Sequence, residues 1–157
     1  MSCRCKEKVK LGVKVISDLV TELPKYQHEG DACFDIRIVI PDNDSCILRP
    51  NDTVVFGTGL IFDIPEGYML AVYPRSGLGI KHNIVLANLT GIIDSSYTDE
   101  LRVGLINMGD KNFTLFNGDR VCQGMLVPVQ NVEIEQVEGI EVKSRGVDSG
   151  LGSSGVK

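Results

Sequence analysis

The stretch that decides the fold is F-D-I-R-I-V-I-P-D-N-D, at residues 34–44. Large apolar side chains stand at every second position from Phe34 to Ile40, with Asp35 and Arg37 between them. Successive side chains of a β-strand point to opposite faces, so this period of two predicts a strand with one buried face. The Pro-Asp-Asn-Asp run that follows consists of turn formers and should end the strand.

The same pattern recurs along the chain. Alternation predicts further strands at 9–15, 101–105 and 132–134, and turn formers cluster at 50–52, 65–67, 108–110 and 117–119. Strands spaced by roughly 8–12 residues are typical of an all-β sandwich or barrel. Only two stretches suggest a helix, namely Ser17–Leu23, which Pro24 ends, and a turn or two after Ser76.

Length and charge limit the classes of function. A chain of 157 residues suits one domain, and we place it at residues 1–143. The net charge of −5 argues against a nucleic-acid partner, which would need a basic face. No apolar run approaches the ~20 residues that span a bilayer, and the charged N-terminus lacks a signal-peptide core. We therefore expect a cytoplasmic protein that has no membrane partner.

The last fourteen residues differ from the rest. Residues 144–157, S-R-G-V-D-S-G-L-G-S-S-G-V-K, have almost no apolar content. Such a segment cannot offset its own ordering entropy, which favours a disordered terminus. It also resembles a glycine-rich phosphate cradle without the lysine of a P-loop. Both interpretations agree if this arm becomes ordered only around a phosphate chain.

Cysteine and histidine patterns exclude several chemistries. The five cysteines are odd in number and form no C-x-x-C pair, so a disulfide framework is not expected. Cys3 and Cys5 are too few to hold a metal on a terminus. His28 and His82 lack metal-ligand spacing, and no Ser/His/Asp set or H-E-x-x-H motif occurs.

Residues 88–97, N-L-T-G-I-I-D-S-S-Y, form an apolar strand that ends on an acid and then reaches an aromatic. We expect a hairpin here, with Asp94 as a candidate general base beside the flat ring of Tyr97. Asp-Ser is also ordinary turn chemistry, and the tyrosine could equally belong to an edge strand.

Two further segments carry polar groups at strand ends. Arg75-Ser76-Gly77 follows the apolar strand M-L-A-V-Y-P, and such a turn could hold a phosphate or simply be a polar surface. In G-D-R-V-C-Q, at residues 118–123, Arg120 and Gln123 stand in an otherwise apolar run. A glutamine there needs a partner if it is buried, and otherwise belongs to a polar face.

Taken together, these segments resemble the trimeric dUTPase family. Five family motifs occur in the right order and span residues 30–155. They are G-D-A-C-F-D at 30–35, P-R-S-G-L at 74–78, N-L-T-G-I-I-D-S-S-Y at 88–97, G-D-R-V-C-Q at 118–123 and R-G-V-D-S-G-L-G-S-S-G at 145–155.

The resemblance implies a jelly-roll-like β subunit that assembles as a homotrimer, with active sites between subunits and a glycine-rich arm closing over each. It implies hydrolysis of dUTP to dUMP and pyrophosphate, with Mg²⁺ bound through the phosphates and no direct protein ligand. Asp94 would activate the attacking water, and Tyr97 would pack beneath the deoxyribose. The other residues implied to bind substrate are Arg75, Ser76, Gly77, Asn88, Gly91, Ile92, Ile93, Arg102, Gln123, Arg145, Leu151, Gly152, Ser153 and Ser154, with Asp35 and Arg120 organising the site.

The chain departs from the family pattern at four positions. Cys33 and Cys122 replace a glycine and an alanine, and Ser96 replaces a common acid. Leu151 stands where the family usually has an aromatic that stacks on uracil, which removes about 1 kcal/mol of stacking. Three other functions remain as alternatives to a dUTPase. They are a dCTP deaminase, a bifunctional deaminase/dUTPase, and a nucleotide-binding regulatory protein with impaired catalysis.

Overall fold

A computed structural model of the protein describes residues 8–41 and 45–140. These ranges consist mainly of β-strands, as the alternation predicts. The strands are β1 (Gly12–Val15), β2 (Phe34–Arg37), β3 (Ser45–Leu48), β4 (Thr53–Gly57), β5 (Leu60–Asp63), β6 (Tyr68–Pro74), β7 (Ile84–Leu86), β8 (Gly91–Asp94), β9 (Arg102–Asn107), β10 (Phe113–Phe116) and β11 (Arg120–Pro128), with one helix, α1 (Ser76–His82), among the described residues.

The largest sheet has four strands in the order β2-β11-β6-β8, and all its neighbours are antiparallel. Strand β11 has nine residues and pairs on both sides, with β2 and with β6. A second sheet has the order β4-β9-β7, and the pairs β1-β5 and β10-β3 complete the strand pairing. Strand β8 is therefore an edge strand in the part of the chain that the structure describes.

One hydrophobic core joins these sheets. The alternation at residues 34–40 does mark a buried face, in β2 and in the residues that follow it. The buried side chains are those of Phe34, Ile36, Ile38 and Ile40. Residues from the other strands share this core, among them Leu48, Leu70, Ile84, Leu105 and Leu115. Because the core draws on strands from every sheet, the described residues form one unit.

The helix expected after Ser76 is confirmed as α1, but the one expected at Ser17–Leu23 is wrong. That segment makes a single turn, in which the Val20 N–H donates to the Ser17 carbonyl. Just before it, the Ile16 N–H donates to the carbonyl of Gly59, which ties the chain to another loop. No helix in the described ranges is long and apolar enough to cross a bilayer.

Two strand expectations also need correction. Residues 132–134 form no strand, and Val132 and Ile134 are 74% and 93% exposed, because no neighbouring strand among the described residues pairs with them. The hairpin expected at residues 88–97 is not a paired hairpin. Strand β8 pairs with β6, whereas the next strand, β9, pairs with β4 and β7.

Glycines allow two close contacts within the four-stranded sheet. A Cβ added at Gly91 would lie 3.1 Å from the Cβ of Val72, across the β8-β6 pair. A Cβ added at Gly124 would lie 2.7 Å from a ring carbon of Phe34, across the β11-β2 pair. The two glycines therefore let β8 approach β6 and let β11 approach β2. All four strands carry or adjoin candidate site residues.

Candidate functional site

Asp35 lies between two arginines. Its Oδ1 is 2.8 Å from Nε of Arg75, and its Oδ2 accepts a hydrogen bond from Arg120 at 3.0 Å. Arg75 also donates to the backbone carbonyl of Arg120 at 2.8 Å. The carboxylate is 11% exposed, so these are largely sheltered, charge-assisted contacts that fix both guanidinium groups.

Three neighbouring strands create this arrangement. Asp35 on β2 stands opposite Gln123 on β11, and Cys122 stands opposite Pro74 at the end of β6. The Gln123 side chain donates to the carbonyl of Pro74 at 2.9 Å, so the glutamine has the partner that its position requires. Arg75 follows at once and turns towards Asp35.

An open cleft of about 470 Å³ lies over these residues. Its lining includes Arg75, Ser76 and Gly77, together with His28 and Asp31 from the loop that leads into β2. Two guanidinium groups beside a hydroxyl and backbone N–H groups are suited to bind an anion with several oxygens. The cleft can therefore receive a phosphate chain.

The two thiols near this cleft stay protonated at neutral pH. Burial raises the pKa of Cys33, and the negative charges of Asp31 and Asp35 raise it further. Burial and the charge of Asp35 raise the pKa of Cys122 to about 12, although Arg75 acts in the opposite direction. Because the thiolate is the nucleophilic form, neither cysteine is suited to act as a nucleophile.

A second, smaller pocket of about 40 Å³ lies beside strand β8. It is lined by Asn88, Gly91, Ile93 and Arg102, together with the apolar side chains of β6, β7 and β9. Ile92 is not among the lining residues and is 63% exposed. The family resemblance implies that these residues bind uracil, and the fold places Asn88, Gly91, Ile93 and Arg102 around one pocket at the edge of the largest sheet.

Asp94 and Tyr97 lie at the end of β8, where both side chains are exposed. The Tyr97 N–H donates to the Asp94 carbonyl at 3.1 Å, and the Tyr97 hydroxyl donates to the carbonyl of Glu100 at 2.8 Å. The Asp94 carboxylate forms no hydrogen bond or ion pair with the described residues. It is exposed to solvent at the end of the strand.

Within one chain, Asp94 does not reach the phosphate cleft. Asp94 stands opposite Met69 at one end of β6, whereas Arg75 follows Pro74 at the other end. Six residues of extended strand separate the two positions by ~20 Å. The chain thus presents a candidate base and a candidate phosphate site that it does not itself join.

Five of the predicted site residues lie outside the described residues. They are Arg145, Leu151, Gly152, Ser153 and Ser154, and the proposed domain boundary at residue 144 lies there too.

The structure adds residues that sequence reasoning did not select. Gln27, His28 and Asp31 line the cleft. Asp31 is the second residue of the motif at residues 30–35, whereas the only sequence signal of Gln27 and His28 is that they precede that motif. Glu100 was also missed, although its carboxylate accepts the Gly59 N–H at 2.8 Å. Nothing in the local sequence indicates that contact, because 41 residues separate its two partners.

Comparisons with known proteins identify the family of the chain. A family model described as dUTPase matches residues 20–155. The deoxyuridine 5'-triphosphate nucleotidohydrolase of Alcanivorax borkumensis is 46% identical over 134 residues, covering 85% of this chain and 87% of that protein.

Solved structures are similar as well. The Staphylococcus bacteriophage 80alpha dUTPase with dUPNHPP has a TM-score of 0.83 and 27% identity, and the match covers 95% of this chain and 100% of that one. A mutant dUTPase from phage phi11 of S. aureus, described for its coordination of a structural Mg(II) ion, has a TM-score of 0.75 and 25% identity. That match covers 85% of this chain and 100% of the phage chain.

Proposed function

The chain belongs to the dUTPase family, and we propose that it hydrolyses dUTP to dUMP and pyrophosphate in active sites shared by three copies of the chain. Its strands form the jelly-roll β fold of that family, so the fold implied by the resemblance is confirmed. The observation that carries the proposal is the phosphate cleft around Arg75, together with a free carboxylate at Asp94.

In the cleft, Arg75, Ser76 and Gly77 bind the phosphates and Gln123 assists them. Asp35 and Arg120 organise the site, because Asp35 holds Arg75 through two oxygens. An arginine oriented in this way presents its remaining N–H groups in a fixed geometry. The guanidinium N–H groups of Arg75 and Arg120 provide the charged donors that an acidic protein needs for a polyanionic substrate.

The uracil ring binds beside β8, at the pocket lined by Asn88, Gly91, Ile93 and Arg102. Strand β8 is an edge strand in the described residues, so one row of its N–H and C=O groups is available for pairing. The backbone from Gly91 through Ile92 and Ile93 can then imitate base pairing. Cytosine is rejected because its donor and acceptor are exchanged, which would leave buried polar groups unpaired.

Tyr97 packs flat against the deoxyribose, which leaves no room for a 2′-hydroxyl. Asp94 accepts a proton from water as that water attacks the α-phosphorus, the bond to the bridging oxygen breaks, and pyrophosphate leaves. General-base assistance of this kind accelerates reactions by about 10²–10⁴-fold. The absence of an ion pair at Asp94 among the described residues supports this role.

The ~20 Å between Asp94 and Arg75 supports a shared site. One subunit supplies the phosphate cleft, and a second supplies β8 with Asp94 and Tyr97. The arm of residues 144–157 closes over the site, with Arg145 and the backbone of Gly152, Ser153 and Ser154 on the γ-phosphate and Leu151 over the uracil. A homotrimer with three such sites, as the family resemblance implies, is compatible with this arrangement.

Magnesium enters through the substrate. No group of three His, Cys, Asp or Glu side chains in the described ranges is placed to hold a metal ion, and Asp35 is already occupied by two arginines. A cation held by the phosphate oxygens, as the family resemblance implies, is compatible with these side chains. When bound, Mg²⁺ would neutralise charge on the phosphates and on the leaving pyrophosphate.

The test is a pyrophosphate-release assay with Mg²⁺ on dUTP, UTP, dCTP and dTTP. We expect rapid release from dUTP alone. Ammonia release from dCTP would instead establish a deaminase, and tight dUTP binding without release would establish a regulatory binding protein.

The first variant to assay is Asp94→Asn. Replacing the base while keeping the shape of the side chain should lower kcat for dUTP by about 10²–10⁴-fold. Nucleotide binding, measured by calorimetry, and trimer mass, measured by light scattering, should not change. Near-normal turnover in this variant would remove Asp94 as the base.

A further inference from the structure

The segment that carries Tyr97 is fastened to the connection between β4 and β5. Thr58 donates its hydroxyl to the carbonyl of Leu101 at 2.7 Å, and the Leu101 N–H donates to the carbonyl of Leu60 at 2.9 Å. Thr58 is 2% exposed, so this attachment is part of the core. It fixes the chain at Leu101, four residues after Tyr97.

Glu100 extends this attachment into the turn. Its Oε1 accepts the N–H of Gly59 at 2.8 Å, and its side chain is only 21% exposed. Its backbone carbonyl accepts the hydroxyl of Tyr97 at 2.8 Å, and its Oε2 lies 3.4 Å from Nε of Arg102. Glu100 thus contacts both Tyr97, which is proposed to pack against the sugar, and Arg102, which lines the proposed uracil pocket.

The position of the Glu100 carboxylate depends on a glycine in β4. A Cβ added at Gly57 would lie 2.5 Å from Oε1 and 3.2 Å from the carboxyl carbon. No side chain fits there unless the carboxylate moves. The carboxylate therefore occupies the space that Gly57 leaves open, and from there it reaches the Gly59 N–H.

We propose that Glu100 is the positioning residue that makes the site selective for a deoxyribose, because it holds the ring of Tyr97 in a fixed position. The proposal rests on the proposed function, in which Tyr97 excludes a 2′-hydroxyl. An aromatic wall excludes one extra oxygen only if the ring cannot move aside. The hydroxyl of Tyr97 is held by the backbone of residue 100, and that backbone is held by the carboxylate of the same residue.

The test compares Glu100→Ala with Glu100→Gln. The alanine variant loses the acceptor for the Gly59 N–H, and we expect the ratio of kcat/KM for dUTP to that for UTP to fall about tenfold. The glutamine variant keeps an acceptor oxygen and loses only the charge opposite Arg102, which is largely exposed. Exposed ion pairs contribute little, so its ratio should stay within about twofold of wild type.

Asp99→Ala is the matched control. It removes a carboxylate from the same turn, and Asp99 makes no side-chain hydrogen bond or ion pair with the described residues. Its dUTP/UTP ratio should match that of the wild-type protein. An Asp99→Ala ratio as low as that of Glu100→Ala would overturn the proposal, because loss of charge alone would then explain both.

Gly57→Ala provides an independent test that leaves Glu100 in place. The added methyl group displaces the end of the flexible Glu100 side chain, so the protein should fold. The Glu100 carboxylate should, however, lose its hydrogen bond from the Gly59 N–H. We expect the same fall in the ratio as in Glu100→Ala, and no further fall in the double variant, since both changes break one contact. Additive effects in the double variant would contradict the proposal.

The outcomes separate this inference from the function on which it rests. If the wild-type protein does not hydrolyse dUTP, both are wrong. If the wild-type protein is active and Glu100→Ala keeps the full dUTP/UTP ratio, only the role of Glu100 is wrong. Equal losses on dUTP and UTP, with an unchanged ratio, would show a general structural role and would also overturn the inference.

Discussion

Among single residues, Cys122 shows how strongly the fold alters the chemistry of a side chain. It lies in β11 with no exposed surface, close to Asp35. Burial removes water from the thiolate and the carboxylate repels it, which together raise the pKa to about 12. A cysteine beside the phosphate cleft thus behaves as a small apolar group.

This raised pKa predicts how stability changes with pH. In the unfolded chain the Cys122 thiol ionises near pH ~8.5, whereas in the folded protein it resists ionisation. The folded state holds its proton longer, so its stability is complete below about pH 8.5 and falls as the pH rises towards 12. The Tm difference between the wild type and Cys122→Ala should shrink from about pH 8 to about pH 10.5.

Differential scanning calorimetry of both proteins across this pH range measures that difference. Other groups that ionise in alkali affect both proteins alike and cancel. A Tm difference that stays constant would show that the thiol ionises equally well in the folded and unfolded chains.

At the scale of elements, β2 and β11 are in close contact beside the proposed phosphate site. Phe34 packs against Tyr26 and Phe62, with ring centroids 5.8 and 6.4 Å away, so its ring has little room to retreat. Gly124 on β11 lies directly against that ring. Both strands continue into the site, through Asp35 and Gln123.

Gly124→Ala should therefore destabilise the protein. The new Cβ would lie 2.7 Å from a ring carbon of Phe34 and 3.1 Å from Cδ1 of Ile36, and overpacking of this kind costs about 1–3 kcal/mol. Thermal denaturation measures the loss. Gly139→Ala is the control, because a Cβ there meets nothing within 4 Å. Equal Tm values for the two variants would contradict the close packing.

The arm of residues 144–157 is the second element with a testable role. Deleting it should lower kcat/KM for dUTP by about a hundredfold, because a closing segment excludes water and completes the set of phosphate contacts. Trimer mass and Tm should change little, since its composition gives it almost no apolar surface to bury. Full activity in the truncated protein would refute this role.

At the scale of the whole molecule, a shared active site predicts complementation between inactive variants. Asp94→Asn and Arg75→Gln should each be nearly inactive alone. If Asp94 and Arg75 of one site come from different subunits, mixed trimers contain sites in which both residues are intact. Random mixing in equal amounts should restore about a quarter of the sites.

The experiment unfolds the two variants together, refolds them and measures dUTP hydrolysis. Each variant refolded alone is the control. If the mixture is no more active than its components, then Asp94 and Arg75 of one chain serve the same site, in conflict with their ~20 Å separation along β6.

The sequence determined the features that depend on neighbouring residues. Alternation from Phe34 to Ile40 identified a strand and its buried face, turn formers separated the strands, and the ordered motifs identified the family, which the comparisons confirm. The local sequence pattern gave a wrong prediction where a contact with a distant residue determines the conformation. Residues 17–23 have helical spacing, but a bond from Ile16 to Gly59 and the nearby turn determine their conformation.

Only the tertiary structure decided which strands are neighbours. Pairing of β11 with β2 and β6 gathers Arg75, Asp35 and Arg120 at one end of the sheet, and pairing of β6 with β8 places Asp94 at the other. It also sets Glu100 against Gly59, a contact that no local pattern records. The physical reason is that the alternation of side chains between the two faces of a strand depends on only a few consecutive residues. Strand pairing, in contrast, joins segments far apart in sequence through the common burial of their apolar faces.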